Sequence, residues 1–146
     1  MEGVILIGLQ ASGKSTFCLK NFYKTHIRLS MDMLKTRHRE KILFEACLDG
    51  KQSVVIDNTN PSKKDREEYI LKLKNKKFSV VGYYFESKIS DCIERNKVRL
   101  GKDKIPEVGI KGTYNKLELP DYGEGFDALY YVQILDNKFI ISDWEK

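Results

Sequence analysis

The chain has 146 residues, of which 41% are hydrophobic and 11% aromatic; this is enough for one buried core and too short for two domains of ordinary size. We therefore expect a single domain over residues 1–146 and exclude a wholly disordered chain. The longest aliphatic run, Val4 to Ile7, is far too short to span a bilayer, no secretion signal opens the chain, and three scattered cysteines argue against a disulfide framework. These features predict a reduced, cytoplasmic protein with no membrane or disulfide partner, and they leave its oligomeric state open.

The net charge of +5 is unevenly distributed along the chain. Residues 1–116 carry 24 basic and 14 acidic side chains, whereas residues 117–146 carry 2 and 7. An excess of positive charge on the first part is typical of a surface that faces nucleotide phosphates or nucleic acid. A solvated lysine-rich surface would give the same count, so charge alone does not decide between the two.

Short apolar runs alternate with longer amphipathic segments, a pattern that favours a parallel sheet covered by helices. In chain order the predicted strands are Val4 to Gly8, Ile27 to Ser30, Ser53 to Asp57, Phe78 to Phe85 and Ala128 to Leu135. The predicted helices are Gly13 to Tyr23, Asp32 to Leu48, Ser62 to Asn75, Ser87 to Leu100 and Glu107 to Leu117. A turn at residues 136–138, followed by Phe139 to Ile141, predicts a closing hairpin.

The most specific signal is GLQASGKST at residues 8–16, between the first strand and the first helix. It fits the phosphate-binding pattern G-x-x-x-x-G-K-[ST], in which glycines allow backbone N–H groups to wrap a phosphate. In such a P-loop Lys14 would bridge the β- and γ-phosphates of a nucleotide, and the Ser15 hydroxyl would ligate magnesium.

Asp32 directly follows the second strand, which places it at the carboxyl edge of the sheet where open α/β folds bind ligands. A carboxylate there suits a general base that takes the proton of an acceptor hydroxyl, although capping the next helix would explain it equally well. Lys35 and Arg39 follow at helical spacing and are expected on the same helix face, beside a phosphate of the acceptor.

Two further groups of polar residues follow later elements. Asp57 ends the third strand, where an acid commonly holds magnesium or its water, and Asn58 begins the turn after it, where turn chemistry is the competing explanation. Arg95 and Arg99 are four residues apart on the fourth predicted helix, before the polar stretch 101–104. They are candidates for lid arginines that neutralise charge on a transferred phosphoryl group, with a solvated surface as the alternative.

Together these motifs resemble the polynucleotide 5′-hydroxyl kinase domain of end-healing enzymes. The stretches that carry the resemblance cover nearly the whole chain: GLQASGKST, Asp32, VVIDNTNP at 54–61, ERNKVR at 94–99 and IPEVGIKGTYNKLELPDYGEGF at 105–126. The resemblance implies a three-layer α/β P-loop NTPase fold of adenylate-kinase type, with a mainly parallel five-stranded sheet in the order 2-3-1-4-5 and a short lid. Members of the family often have Arg where this chain has Met31, and the phage enzyme has Arg where this chain has Lys35.

The resemblance also implies roles for individual residues. Asp32 would be the general base, Lys14 and Arg99 would act on the transferred phosphate, and Ser15 and Asp57 would hold Mg²⁺. ATP would contact Gln10, Ala11, Ser12, Gly13, Lys14, Ser15, Thr16, Arg95 and Arg99, and the 5′ end of RNA or DNA would contact Lys35, Arg39 and Asn58.

Two other functions use the same motifs. A kinase for a small molecule such as a sugar, nucleoside or nucleotide-sugar has the same P-loop and an Asp in the same place. A nucleotide-binding switch that transfers no phosphate is the third possibility.

Overall fold

The fold is described from a computed structural model, which covers residues 1–145. A single six-stranded sheet runs through the molecule in the order β2-β3-β1-β4-β5-β6. Its strands are β1 (Glu2–Ile7), β2 (Ile27–Leu29), β3 (Val54–Ile56), β4 (Ser79–Phe85), β5 (Ala128–Leu135) and β6 (Lys138–Asp143). The first five strands are parallel and follow the predicted order 2-3-1-4-5.

The sheet has one strand more than the five expected from the family resemblance. Residues after the Asp136–Asn137 turn form β6, which pairs antiparallel with β5 as the hairpin signal predicted. Both turn residues adopt positive φ, 51° and 60°, as the tight connection of a hairpin requires.

Helices cover both faces of the sheet and give the expected three layers. They are α1 (Lys14–Phe22), α2 (Met31–Leu34), α3 (Arg37–Asp49), α4 (Lys63–Asn75), α5 (Ile89–Lys97) and α6 (Glu107–Lys116). On one face, Phe17, Cys18 and Phe22 of α1 pack on alternate residues of β1 and β4. On the other face, α3 and α4 bury Phe44, Leu48, Ile70 and Leu73 against the complementary residues. A smaller cluster of Leu9, Cys92 and Ile110 joins α5 and α6 to the end of β1.

The predicted helix over residues 32–48 is wrong, because the chain forms two helices there. Lys35 has φ 72°, a left-handed conformation that ends α2 after one turn. Thr36 then caps α3 by accepting a hydrogen bond from the Arg39 backbone N–H. Lys35 and Arg39 therefore do not share a continuous helix face with Asp32.

The remaining helix ends follow local signals. Ser62 and Asp65 form a reciprocal capping box at the start of α4, where the sequence predicted that a helix begins. The fourth predicted helix ends earlier than expected, at Lys97, so Arg99 lies beyond it in the segment that leads to a short 3₁₀ turn at Gly101–Asp103. Within the described residues, none of the helices has the length and apolarity that crossing a lipid bilayer requires.

Candidate active site

The loop between β1 and α1 forms the centre of the candidate site. Gly13 precedes α1 with φ 100°, a conformation that side chains disfavour, and an added Cβ would lie 2.9 Å from Ile134 Cδ1 and 3.0 Å from Phe139 Cε1. Only glycine fits there. The first backbone N–H groups of an α-helix have no partner within the helix, so those at the start of α1 are available to bind a phosphate.

The other loop residues mostly brace the loop. The Ser12 hydroxyl donates to the Leu9 carbonyl oxygen (2.7 Å), and the Gln10 side-chain amide donates to Thr113 Oγ1 on α6 (2.9 Å). Ala11 adopts a positive φ of 62°. Thr16 is exposed on the first turn of α1.

Lys14 lies inside the loop, where its ammonium donates to the carbonyl oxygens of Gly8 (2.9 Å) and Leu9 (2.6 Å). Burial lowers the pKa of Lys14 to about 8, although the nearby carboxylates of Asp57 and Asp32 act to raise it and Arg99 acts to lower it. Asp57, Asp32 and Arg99 therefore lie close enough to Lys14 to act on its charge. The fold brings residues from the end of β3, from α2 and from the segment after α5 close to the P-loop.

Ser15 and Asp57 form the best candidate for a metal site. The Ser15 hydroxyl donates to Asp57 Oδ2 at 3.0 Å, and Asp57 is only 5% exposed at the end of β3. Hydroxyl and carboxylate oxygens are ligands that Mg²⁺ accepts, and Mg²⁺ usually completes its shell with phosphate and water. Within residues 1–145 no cluster of three His, Cys, Asp or Glu side chains that could hold a metal ion is found.

Arg28, which the sequence analysis missed, shares this site. Its Nε donates to Asp57 Oδ2 at 2.7 Å and its Nη2 to the Ser15 hydroxyl at 3.4 Å. The guanidinium balances the buried carboxylate and fixes its orientation. No clear signal in the sequence pointed to it, because charged residues are common on edge strands and the partner Asp57 is 29 residues away in the chain.

Asp32, Lys35 and Arg39 all lie at the carboxyl edge of the sheet, and all are exposed. They occupy three different local environments: Asp32 is on α2, Lys35 is at the break, and Arg39 is on the first turn of α3. Arg37, His38 and Lys41 are also exposed there, so the α2–α3 segment presents five basic or histidine side chains close to Asp32 in the sequence.

The lid arginines are placed differently from each other. Arg95 on α5 donates from Nη1 to the Ala11 carbonyl oxygen at 3.3 Å, which ties the helix to the P-loop. Arg99 donates to the Asp103 carbonyl oxygen at 3.2 Å and is partly exposed. The two ends of this segment are joined by the Asn96 side chain, which exchanges two hydrogen bonds with the backbone of Ile105.

Asn58 contacts protein groups with both ends of its amide. Its Oδ1 accepts from the Met31 backbone N–H, and its Nδ2 donates to Glu40, a buried acid that the sequence analysis also missed. Apart from Arg37, three residues away, the partners of Glu40 are 18 and 29 residues away in the chain, so the sequence did not show that it is buried.

The fold is an α/β fold of the P-loop kinase type. The features that define it are the strand order of the sheet, the loop with Gly13 before α1, and the buried Lys14. No protein-family model matches the chain. Of the curated proteins that are similar to it, two are named as bifunctional polynucleotide phosphatase/kinases, the second with the qualifier "putative". The protein from Schizosaccharomyces pombe is 29% identical over 86% of this chain, and the protein from Acanthamoeba polyphaga mimivirus is 30% identical over 99%. The chain spans about a third of the length of these relatives, 32% and 37%.

Solved structures agree on the fold. Kti12 from Chaetomium thermophilum, in complex with ADP-AlF3, superposes with a TM-score of 0.68 over 90% of this chain and 88% of its own, at 14% identity. A gluconokinase from Sinorhizobium meliloti 1021 gives a TM-score of 0.61 over 90% and 82%, at 15% identity. At this level of identity the likeness establishes the fold and does not indicate the substrate.

Proposed function

We propose that this chain is an ATP-dependent kinase that transfers the γ-phosphate to the 5′-hydroxyl end of a polynucleotide. The observation that carries the proposal is the position of Asp32: an exposed carboxylate at the carboxyl edge of the sheet, within electrostatic reach of the P-loop lysine. A base there meets an acceptor hydroxyl from solvent while the phosphate donor is held by the loop.

Each step of the reaction has a candidate residue in this chain. The N-terminus of α1 and the Lys14 ammonium bind the donor phosphates and stabilise the charge that develops on the γ-phosphoryl group. Asp32 orients the acceptor hydroxyl and takes its proton as the new P–O bond forms, while the bond from the γ-phosphorus to the β,γ-bridging oxygen of ATP breaks and ADP leaves. Arg99, on the segment that the Asn96 side chain tethers to Ile105, would contact the transferred group, and Arg95 would hold the loop. Mg²⁺ at Ser15 and Asp57 would neutralise charge on the β- and γ-phosphates.

Two observations favour a polynucleotide acceptor over a small molecule. The first is the exposed basic α2–α3 segment beside Asp32, which suits a phosphate next to the terminal nucleotide. Lys35 and Arg39 are its candidate contacts. The second is the name of both relatives described above, whose similarity extends over most of this chain.

The proposal is tested by phosphoryl transfer from γ-labelled ATP to 5′-hydroxyl RNA, 5′-hydroxyl DNA and a panel of sugars and nucleosides, measured side by side. We expect label on an oligonucleotide and none on the same oligonucleotide blocked by a 5′-phosphate. A nucleoside 3′-phosphate should be a better acceptor than the nucleoside, because it retains the phosphate next to the 5′ nucleotide.

Two results would overturn the proposal. A metabolite that outcompetes every 5′-hydroxyl end would make the chain a small-molecule kinase. ATP binding with no labelled product from any acceptor would favour the nucleotide-dependent switch.

A further inference from the structure

Glu40 is a carboxylate buried between two helices. It is 5% exposed on α3, and its Oε1 accepts hydrogen bonds from the Tyr69 hydroxyl (2.6 Å) and from Arg37 Nη1 (3.1 Å). Its Oε2 accepts from Asn58 Nδ2 at 2.9 Å. A buried carboxylate is costly to desolvate, so three donors aimed at one side chain indicate that it has a task in this position.

The contact with Asn58 extends toward the candidate active site. Asn58 Oδ1 accepts from the backbone N–H of Met31 at 2.9 Å, and Met31 is the first residue of α2. The N-cap residue of α2, Ser30, makes no capping hydrogen bond with its own side chain. Asn58 therefore supplies, from 27 residues away, the cap that the helix lacks locally.

The donor and the acceptor in each of these hydrogen bonds are fixed. Glu40 can only accept and the Met31 N–H can only donate, so the Asn58 amide fits in one orientation, with its oxygen toward Met31. Asp32 is the next residue after Met31. Because α2 has only four residues and ends at the strained Lys35, it has few bonds of its own to hold it in place.

We propose that Glu40 and Asn58 form a chain of hydrogen bonds to Met31, here called the relay, which holds the start of α2 in place. Asp32 is thereby held in the position needed for proton transfer. Both are positioning residues that touch neither substrate, which replaces the expected role of Asn58 as an acceptor contact. The role in proton transfer rests on the proposed function of Asp32.

The test exchanges the two partners. Glu40→Gln places an amide N–H against Asn58 or Arg37, and Asn58→Asp places a second carboxylate against Glu40. In the double variant Glu40→Gln/Asn58→Asp, the new amide N–H at position 40 donates to one carboxylate oxygen at position 58. The other carboxylate oxygen at position 58 can accept from the Met31 N–H. We expect each single change to lower kcat by about 10- to 100-fold, with ATP affinity and acceptor KM within about threefold, because misplacement of a base affects the chemical step. The double variant should return to within about fivefold of the wild type.

Tyr69→Phe is the matched control. It removes one hydrogen bond to the same carboxylate on the side away from Asn58, so it should lower thermal stability and leave kcat nearly unchanged. An equal loss of kcat in Tyr69→Phe, wild-type kcat in both single variants, or no recovery in the double variant would overturn the relay.

Amide hydrogen exchange tests the same contacts without a substrate. Exchange at the Met31 N–H should accelerate at least tenfold in Asn58→Leu and stay unchanged in Tyr69→Phe. If the wild-type chain phosphorylates no 5′-hydroxyl end, the proposed function fails, and the relay is then decided by this measurement: unchanged exchange in Asn58→Leu refutes it.

Discussion

Arg66 offers a quantitative test of how the loop after β3 is held. Its side chain is fully buried on α4, and its guanidinium donates to both carboxylate oxygens of Glu124, at 2.8 and 3.1 Å. It also donates to the carbonyl oxygens of Asn60 (2.9 Å), Pro61 (3.1 Å) and Glu118 (3.2 Å). One side chain thus joins the loop of the DNTNP stretch to the segment that precedes β5.

Replacing Arg66 with Met keeps much of its volume and removes all five hydrogen bonds. Glu124 is then left as an unpaired carboxylate with a side chain only 8% exposed. Removal of one partner of a buried ion pair costs about 3–5 kcal/mol, a large part of the 5–15 kcal/mol typical of a domain. We expect Arg66→Met to lower the free energy of unfolding by that amount in urea denaturation followed by circular dichroism.

Two further variants check the reasoning. Glu124→Gln added to Arg66→Met removes the unpaired charge and should recover part of the loss. Lys63 on the same helix pairs with Asp121 at 2.6 Å across the same two segments, but both side chains are nearly half exposed. Lys63→Ala should leave the urea midpoint within error of the wild type. A loss in Lys63→Ala as large as that in Arg66→Met would refute the argument from burial.

The remaining predictions concern the proposed reaction. Lys14→Ala should cut turnover by about 10² to 10³ because a donor to the transferred phosphoryl group is lost; full activity in the folded variant would contradict the P-loop role. Asp32→Asn keeps the shape of the side chain but cannot take a proton, so transfer should be abolished while ATP affinity, measured by calorimetry, stays within a few-fold. If affinity collapses and transfer per bound ATP survives, Asp32 is not the base. Lys35→Ala should weaken oligonucleotide binding in every sequence context and lower the slope of log binding constant against log salt concentration by about 0.7. Lys77 lies just before β4, at the amino edge of the sheet, and Lys77→Ala should change neither quantity. An unchanged slope in Lys35→Ala would mean that the nucleic acid binds elsewhere.

The sequence was sufficient for the elements that local patterns specify. Apolar runs located the five parallel strands, and the predicted helix from Ser62 to Asn75 matches α4, because burial patterns and helix caps depend on residues that are close in the sequence. The break at Lys35 was missed because a lysine with positive φ gives no local warning, unlike a glycine.

The candidate site was predicted less completely than the fold, because several of its contacts join residues that are far apart in the sequence. The P-loop is a contiguous motif, so Lys14 and Ser15 could be identified from spacing alone. Arg28 and Glu40 matter through partners on other elements, Asp57 and Asn58, and one sequence carries no record of such pairs. The end of α5 at Lys97, which places Arg99 on the lid segment, likewise depends on the Asn96–Ile105 contact.

The packing of Gly13 against β5 and β6 has a consequence for the order of folding. The phosphate-binding loop is synthesised well before Ile134 and Phe139, which lie against Gly13 but follow it by more than a hundred residues in the sequence. Phe139 also packs edge-on against Phe17 of α1, with ring centroids 5.2 Å apart. Contacts across such a sequence separation form late, because a long loop must close first. We therefore expect a nascent chain that stops before residue 134 to contain the whole GLQASGKST motif without its binding conformation. The ability to bind a nucleotide would then be acquired only when the β5–β6 hairpin docks.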